Sequence, residues 1–153
     1  MPLAQDALAR AEGTIAALRT VDTGGDIRWV RPEGLHITLA FLGQVPTHAV
    51  PDLIVALAEV IRHDRNRRSP DGHSLRSRHL GLSLDAVELF PSAQHPQVIW
   101  YRVGGSTASL ARLAYAVRAS LSEITPILDG SSFRPHVTLG RVRSGKQIGR
   151  AHV

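Results

Sequence analysis

The sequence contains no cysteine. Disulfide bonds, thiolate nucleophiles and zinc sites with cysteine ligands are therefore all excluded. A chain that needs no disulfide suits the reducing cytoplasm, and we expect a cytoplasmic protein.

Long apolar runs and several familiar catalytic loops are also missing. No run approaches the roughly 18 to 20 apolar residues of a membrane helix, and the first residues lack the pattern of a secretory signal. The sequence has no glycine-rich phosphate loop, no serine nucleophile elbow and no carboxylates clustered at metal-binding spacing. We therefore expect no membrane partner, no cofactor and no metal, and neither nucleoside-triphosphate hydrolysis nor two-metal nuclease chemistry.

The charge of the chain is unbalanced towards the positive side. Its 153 residues carry a formal net charge of +5, with a pI of about 10.9, which favours anionic partners such as nucleic acid. Much of the surplus lies between Arg62 and Arg68 and at Arg76 and Arg78. This segment has two open interpretations: a solvated basic loop, or a rim that contacts phosphates without recognising sequence.

Hydrophobic spacing predicts helices and strands in the order helix, two strands, helix, loop, two strands, helix, strand. Each half therefore holds a helix and ends in a strand, which indicates an α+β protein with two pseudo-symmetric lobes. The predicted helices are Ala4–Arg19, Ala49–Arg62 and a helix capped by Ser106, and the predicted strands are Ile27–Val30, Leu35–Leu42, Leu80–Leu89, Val98–Val103 and His136–Val142.

The strand that ends each half carries a His-x-Thr motif, the first at His36–Thr38 and the second at His136–Thr138. In both motifs the middle residue is β-branched and apolar, and a leucine follows. Because side chains alternate across a strand, the histidine and threonine project together while their apolar neighbours face the core. The expected core residues of the first strand are Leu35, Ile37, Leu39 and Phe41.

Two such motifs facing each other suit in-line displacement at phosphorus. The reference pKa of histidine, about 6.5, lets one ring accept a proton from the attacking water while the other donates one to the leaving oxygen. Threonine hydroxyls can donate to the phosphoryl oxygens. A single histidine on a strand is more often a surface or hydrogen-bonded core residue, but two matched motifs favour catalysis. We expect His36 and His136 to be catalytic, with Thr38 and Thr138 binding phosphate.

Two arginines and two tryptophans are further candidates. Arg134 alternates with His136 and is expected to contact phosphate, against a solvent-facing alternative. Arg141 is a second phosphate candidate; simple alternation places it on the core side, but it lies at a strand end, where alternation often fails. Trp29 and Trp100 either stack on a base or pack in the core.

Several segments resemble the two-histidine (2H) phosphoesterases, and among them the RNA 2′,3′-cyclic phosphodiesterases, also called 2′-5′ RNA ligases or LigT-like proteins. Ile27–Gly43 is similar to the family's first-motif segment and Phe133–Arg141 to its second. Leu89–Pro91 and Val98–Trp100 resemble its middle strands. The resemblance covers residues 4–143.

This resemblance implies lobes that are each a small, mostly antiparallel sheet with helices on its outer face, and a catalytic cleft between them. It implies opening of an RNA 2′,3′-cyclic phosphate to a 2′-phosphomonoester without metal, and reversible 2′-5′ joining of RNA ends. The family's motif residues correspond to the two His-x-Thr motifs. The symmetry of the motifs leaves base and acid undecided; analogy with the family favours His136 as base and His36 as acid. We expect a monomer.

The chain departs from the family pattern at both ends. Members begin with a short apolar strand before the first helix and continue past the second motif to a closing strand, and this sequence offers neither. We therefore expect one bilobal domain over residues 1–147 that lacks a first and a last strand. Residues 148–153 resemble a translated sequencing adapter, and we expect them to be a non-native tail.

Two other functions stay open. One is a 2H phosphoesterase acting on a small cyclic phosphate, such as a cyclic nucleotide or an ADP-ribose cyclic phosphate. The other is a module that binds RNA ends without turnover.

Overall fold

A computed structural model describes residues 1–66, 80–127 and 132–143. These residues form three α-helices and four strands, which confirms the α+β class. The helix near the amino terminus and the other two predicted helices are all found, and none could span a membrane in the part of the chain described. In chain order the elements are α1 (Gln5–Val21), β1 (Ile27–Trp29), α2 (Val50–Asn66), β2 (Leu82–Phe90), β3 (Val98–Gly105), α3 (Thr107–Ser122) and β4 (His136–Val142).

The chain divides into two compact units. The first contains α1 and nearly all of the sheet, and the second contains α2 and α3. The second sheet that two matched lobes would require is not found among the described residues. The proposed tail at 148–153 and most of the basic segment, from residue 67 to 79, lie outside those residues, so both expectations stay predictions.

The sheet is built around β4. Its strand order is β1-β4-β3-β2, and both β1 and β3 pair with β4 in antiparallel fashion. Helix α1 lies on one face of the sheet, where its Thr14 hydroxyl makes a 2.6 Å hydrogen bond with the hydroxyl of Tyr101 in β3. The apolar side chains of α1 and the sheet then form the core of this unit. Its most buried members are Ala11, Leu35, Ile37, Val103, Val137 and Leu139.

The other face of the sheet, opposite α1, carries Trp100, Thr138 and His136; we call it the histidine face. These three side chains are half-buried, whereas Val137 and Leu139, which alternate with them in β4, are fully buried. The alternation in the second motif is therefore the one expected of a strand with one face in a core.

A β-bulge interrupts this alternation in β4. Trp100 pairs with Thr138, but the preceding residue, Ile99, pairs with Gly140, so Leu139 is an extra residue without a direct partner in β3. Leu139 and Gly140 are consequently both buried on the α1 side. The carbonyl of Leu139 accepts a 2.8 Å hydrogen bond from the amide of Val30, which holds the extra residue against the β1 side.

The strand predicted at Leu35–Leu42 is wrong as a continuous element. Of the residues from Leu35 to Leu42, all of which the structure describes, only His36 and Ile37 form β-bridges, to Pro2 and Val137 respectively. The preceding residues form a 3₁₀ turn at Pro32–Gly34, which carries the chain away from β4 after β1 and back to it at Ile37. Leu35 and Ile37 are buried as expected, but Phe41 is 59% exposed, because no strand continues the alternation that far.

The second unit has a core between its two helices. Leu53 of α2 is buried against Val117 and Leu121 of α3. Pro51 is accommodated in the first turn of α2, where its missing amide hydrogen has no helical acceptor to lose. The guanidinium of Arg118 in α3 donates a 2.9 Å hydrogen bond to the carbonyl of Leu39, which anchors the chain just after the first motif within this unit.

Candidate active site

The two His-x-Thr motifs meet at their middle residues. Ile37 and Val137 are antiparallel bridge partners, 2% and 0% exposed. On the other side of β4, Val137 pairs with Tyr101, which is also buried. Residues directly opposite each other on paired strands project to the same face, so these three side chains form one buried row on the α1 side.

The neighbours of this row project to the histidine face. In an antiparallel pair the residue before Ile37 lies opposite the residue after Val137, which places His36 beside Thr138. Thr138 is flanked on its other side by Trp100, its partner in β3. His136 is the diagonal neighbour of His36, and diagonal neighbours in a sheet are about 7–8 Å apart. The first unit thus brings both motif histidines and one motif threonine onto one face.

His36 is oriented by its own turn. Its side chain is exposed, and its Nδ1 atom lies 2.6 Å from the carbonyl oxygen of Gly34. A carbonyl oxygen can only accept, so Nδ1 must carry the hydrogen and donate it. The 3₁₀ turn therefore leaves Nε2 as the ring nitrogen available for proton transfer.

An aromatic and ionic group borders His136. The indole of Trp100 lies against the imidazole, with ring centroids 4.4 Å apart and planes tilted by 41°. The indole Nε1 donates a 3.4 Å hydrogen bond to Glu88, whose carboxylate also forms a 3.1 Å ion pair with Arg102. Since Arg102 is the direct cross-strand partner of His136, these contacts fix the groups on two sides of the imidazole.

The bulge decides the position of Arg141. Thr138 and Arg141 pair with Trp100 and Val98, which are two residues apart in β3 and so lie on the same face. Arg141 therefore lies on the histidine face and is exposed. Simple alternation assigned it to the core side, and that assignment is wrong because Leu139 adds one residue to the count.

The remaining two predicted residues lie in the second unit. Thr38 directly follows the bridged Ile37 and is half-buried, and Arg134 is exposed and precedes β4. Their participation in catalysis stays a prediction.

The residues that surround the histidines are not evident from the sequence. Gly34, Glu88 and Arg102 were not singled out, although Gly34 lies two residues before His36. The roles of Glu88 and Arg102 depend on strand register, which the sequence alone does not reveal. For Trp29 and Trp100 the sequence allows either base stacking or core packing. In the structure Trp100 contacts a motif histidine, whereas the indole Nε1 of Trp29 donates to Asp22.

Metal independence also stays a prediction. In residues 1–66, 80–127 and 132–143, no three His, Asp or Glu side chains are grouped closely enough to hold a metal ion.

Comparison with known proteins shows the family of this chain. The family model described as LigT like Phosphoesterase matches residues 3–66, which include the first motif. A protein of Aeropyrum pernix named RNA 2′,3′-cyclic phosphodiesterase is 30% identical over 138 residues, covering 89% of this chain and 70% of that protein. The chain belongs to the LigT-like phosphoesterase family.

A second relative covers less of its own length. The Aquifex aeolicus protein, also named RNA 2′,3′-cyclic phosphodiesterase, is 31% identical over 119 residues, which are 76% of this chain and 56% of that protein. This LigT-like chain therefore spans little more than half of that relative.

Solved structures show the same fold. The crystal structure of the protein TT0787 of Thermus thermophilus superimposes with a TM-score of 0.70, at 23% identity, over 94% of this chain and 72% of that one. The crystal structure of E. coli LigT complexed with 3′-AMP superimposes with a TM-score of 0.58, at 22% identity, over 92% of this chain and 72% of that one. At these identities the comparisons show the LigT-like fold alone.

Proposed function

We propose that this protein hydrolyses RNA 2′,3′-cyclic phosphate ends to 2′-phosphomonoesters, without a metal, by acid–base catalysis between His36 and His136. The observation that carries the proposal is the antiparallel meeting of the two motifs at Ile37 and Val137, which brings both histidines to one face of the sheet. The names of the Aeropyrum and Aquifex relatives support the substrate.

The proposed reaction is one in-line displacement. One neutral imidazole takes a proton from water, the water oxygen bonds to phosphorus, and the bond from phosphorus to the ribose 3′ oxygen breaks. The second, protonated imidazole gives its proton to that 3′ oxygen, leaving the phosphate on the 2′ oxygen. Each proton transfer contributes typically about 10²- to 10⁴-fold to the rate.

The two histidines have different settings, which bears on their roles. His36 exposes Nε2 because Nδ1 donates to Gly34, whereas His136 is half-buried against Trp100. Family analogy makes His136 the base that activates water and His36 the acid that protonates the leaving oxygen. Either assignment requires one histidine to be neutral and the other protonated, so the rate should show a bell-shaped pH profile.

The threonines and arginines supply charge stabilisation in this proposal. Thr138 lies between His36 and Trp100 in the cross-strand row, where its hydroxyl can donate to a phosphoryl oxygen. Thr38 has the same spacing from His36 that Thr138 has from His136, and we assign it the matching role. Arg134 and Arg141 are assigned to phosphate oxygens, since guanidinium groups bind them through paired hydrogen bonds.

The same chemistry can join RNA ends. If a 5′-hydroxyl of a second RNA replaces water as the attacking group, the displaced 3′ oxygen leaves a 2′-5′ linkage. The hydrolytic and joining reactions then share one base and one acid. We include reversible 2′-5′ ligation in the proposal, and the protein is expected to act as a cytoplasmic monomer.

The first experiment is hydrolysis of a short RNA ending in a 2′,3′-cyclic phosphate, in EDTA, by the wild-type chain and by His36→Ala and His136→Ala. We expect conversion to the 2′-phosphate by the wild type and a loss of about 10²-fold or more in each variant. The exposed His95, at the turn between β2 and β3, provides a matched His95→Ala control that should retain full activity.

The contrary outcomes separate the alternatives. Turnover of a cyclic mononucleotide but not of the RNA would favour the small-substrate function. Binding of the RNA without hydrolysis, unchanged in His36→Ala, would favour a non-catalytic module. Activity that EDTA abolishes, or a rate that does not vary between pH 5 and pH 9, would contradict the two-histidine mechanism.

A further inference from the structure

A row of three aromatic rings crosses the histidine face. Trp100 in β3 has the ring of Phe90 in β2 on one side, with the centroids 5.0 Å apart, and the imidazole of His136 in β4 on the other, at 4.4 Å. The ring planes are tilted by 33° and 41° respectively, so neither pair is the flat sandwich that aromatic rings avoid. The position of the indole therefore restrains the position of the imidazole beside it.

Glu88 in β2 holds this indole at its edge. One carboxylate oxygen, Oε2, accepts a 3.4 Å hydrogen bond from the indole Nε1 of Trp100. The other, Oε1, lies 3.1 Å from the guanidinium of Arg102. Trp100 and Arg102 are two residues apart in β3 and so project to the same face. The ion pair with Arg102 thus restrains the carboxylate, and the carboxylate in turn restrains the indole.

The two motif histidines are oriented by contacts of different kinds. The ring of His36 is held at one nitrogen by the carbonyl of Gly34, whereas the contact of His136 with Trp100 is between rings and engages no ring nitrogen. A contact between two rings is weak by itself, and a tryptophan that changed rotamer would withdraw its ring from the imidazole. The orientation of His136 therefore depends on what holds the indole. Proton transfer depends on that orientation, because the ring must lie within hydrogen-bond reach of the reacting oxygen.

We propose that Glu88 is a positioning residue for His136. By holding Nε1 of Trp100, its carboxylate keeps the indole against the imidazole and keeps the imidazole in the orientation for proton transfer. The inference rests on the proposed function, because it takes His136 to exchange a proton with the reacting RNA end. Glu88 itself touches neither the substrate nor the reacting atoms, so its loss should slow the chemical step without weakening substrate binding.

The test measures kcat and KM separately on a short RNA ending in a 2′,3′-cyclic phosphate. For Glu88→Ala we expect kcat to fall about tenfold, since a small misplacement of a catalytic group is costly, and KM to stay within about twofold of the wild type. Glu59→Ala is the matched control. Glu59 in α2 is also a partly exposed carboxylate paired with an arginine, Arg62, and its loss should leave both constants unchanged.

Trp100→Phe tests whether Glu88 acts through the indole. Phenylalanine keeps a ring beside His136 but offers no N–H group to the carboxylate, so kcat should fall about tenfold or more. Adding Glu88→Ala to this variant should change kcat by no more than about twofold, because the contact is already lost. A glutamate that merely supported the sheet would instead give two losses that add.

Glu88→Gln separates the contact with the indole from the contact with Arg102. Glutamine keeps an oxygen that can accept from Nε1 of Trp100 but has no charge to pair with the guanidinium. Its kcat should therefore lie within about threefold of the wild type, because the hydrogen bond is retained. A kcat as low as that of Glu88→Ala would show that the ion pair matters instead, and would overturn the proposal.

Proton NMR gives a second measurement that does not need turnover. The ring current of Trp100 shifts the carbon-bound imidazole protons of His136 away from the positions of an exposed histidine, for which His95 is the reference. The spectra are recorded at about pH 9, well above the reference pKa of histidine. In Glu88→Ala the His136 signals should move towards those of His95, and in Glu59→Ala they should stay in place.

The outcomes distinguish this inference from the proposed function. If the wild type hydrolyses no cyclic phosphate, the proposed function fails, and the NMR comparison still decides whether Glu88 orients the ring of His136. If the wild type is active but Glu88→Ala keeps its kcat, or changes only KM, the function stands and the positioning role is overturned. Unchanged His136 signals in an active Glu88→Ala variant would overturn it as well.

Discussion

At the scale of single residues, the orientation of His36 is the most informative feature. The hydrogen bond to Gly34 fixes the tautomer of the ring, because a carbonyl oxygen only accepts and Nδ1 must therefore carry the hydrogen. A catalytic acid must present its proton towards the leaving group. The 3₁₀ turn before the motif therefore prepares Nε2 for that role, and the His-x-Thr pattern by itself does not convey this.

This contact predicts the tautomer of His36. We expect the neutral ring to hold its hydrogen on Nδ1, the reverse of the preference of free histidine, because only that form donates to the carbonyl of Gly34. Nitrogen-15 NMR of the imidazole distinguishes the two forms directly. The spectrum of His36→Ala assigns the signal.

The exposed His95 serves as the internal reference for this measurement, since the free preference for hydrogen on Nε2 is expected there. A His36 ring that holds its hydrogen mainly on Nε2 would contradict the contact. It would also remove the structural support for Nε2 as the nitrogen that transfers the proton.

At the scale of elements, the bulge in β4 controls which side chains reach the histidine face. It requires glycine at position 140, because a Cβ atom there would lie 2.7 Å from Cγ2 of Ile27 and 3.1 Å from the ring of Trp29. The two β1 side chains thus fill the space that a larger residue would need. Gly140 permits the extra residue, and the extra residue turns Arg141 outward.

Gly140→Ala tests this dependence. The added methyl group must displace Ile27 or Trp29, and overpacking of this kind costs about 1–3 kcal/mol, so the midpoint of thermal unfolding should fall by several degrees. Gly13→Ala in α1 is the matched control, since nothing lies within 4 Å of its added Cβ and alanine favours the helix.

We expect Gly13→Ala to unfold at the same or a higher temperature, as followed by circular dichroism. Equal stability of Gly140→Ala and the wild type would show that the strands relax without strain.

The elements also show what the sequence could reveal. The helices and β4 were predicted because periodicity reports burial on one face, and His136–Val142 has the predicted bounds. Apolar and polar residues do alternate from Leu35 to Leu42, but the alternation extends beyond the residues that pair with another strand. Within that segment, all of which is described, only His36 and Ile37 form β-bridges. Strand pairing is a long-range property that local spacing does not encode. For the same reason the histidines were predictable as candidates, whereas Glu88, Arg102 and the position of Arg141 were not.

At the scale of the whole molecule, net charge is the dominant property. A surplus of five positive charges favours a polyanionic ligand and opposes close approach of two copies of the chain. The same positive charge attracts the phosphate groups of the proposed RNA substrate. Sequence composition predicted this property fully, because charge is counted and needs no fold.

We expect the protein to be a monomer under low-salt conditions. Light scattering coupled to size exclusion should give a mass of 16.6 kDa that does not change with loading concentration. The activity per chain should be equally independent of concentration. A mass near twice this value, with activity that falls on dilution, would instead indicate that two copies form the working unit.

The bulge at Leu139 has a consequence for how such a strand can change length. Without Leu139, Thr138 and Gly140 would be consecutive, and their partners Trp100 and Ile99 already are. A regular ladder and this one therefore differ by the insertion of a single codon, and every other cross-strand pair keeps its register. Because the inserted side chain enters the core while both ends of the strand keep their facing, insertion at this point adds buried volume without rearranging the chemistry. At most other positions in β4 the same insertion would exchange the two faces of the sheet.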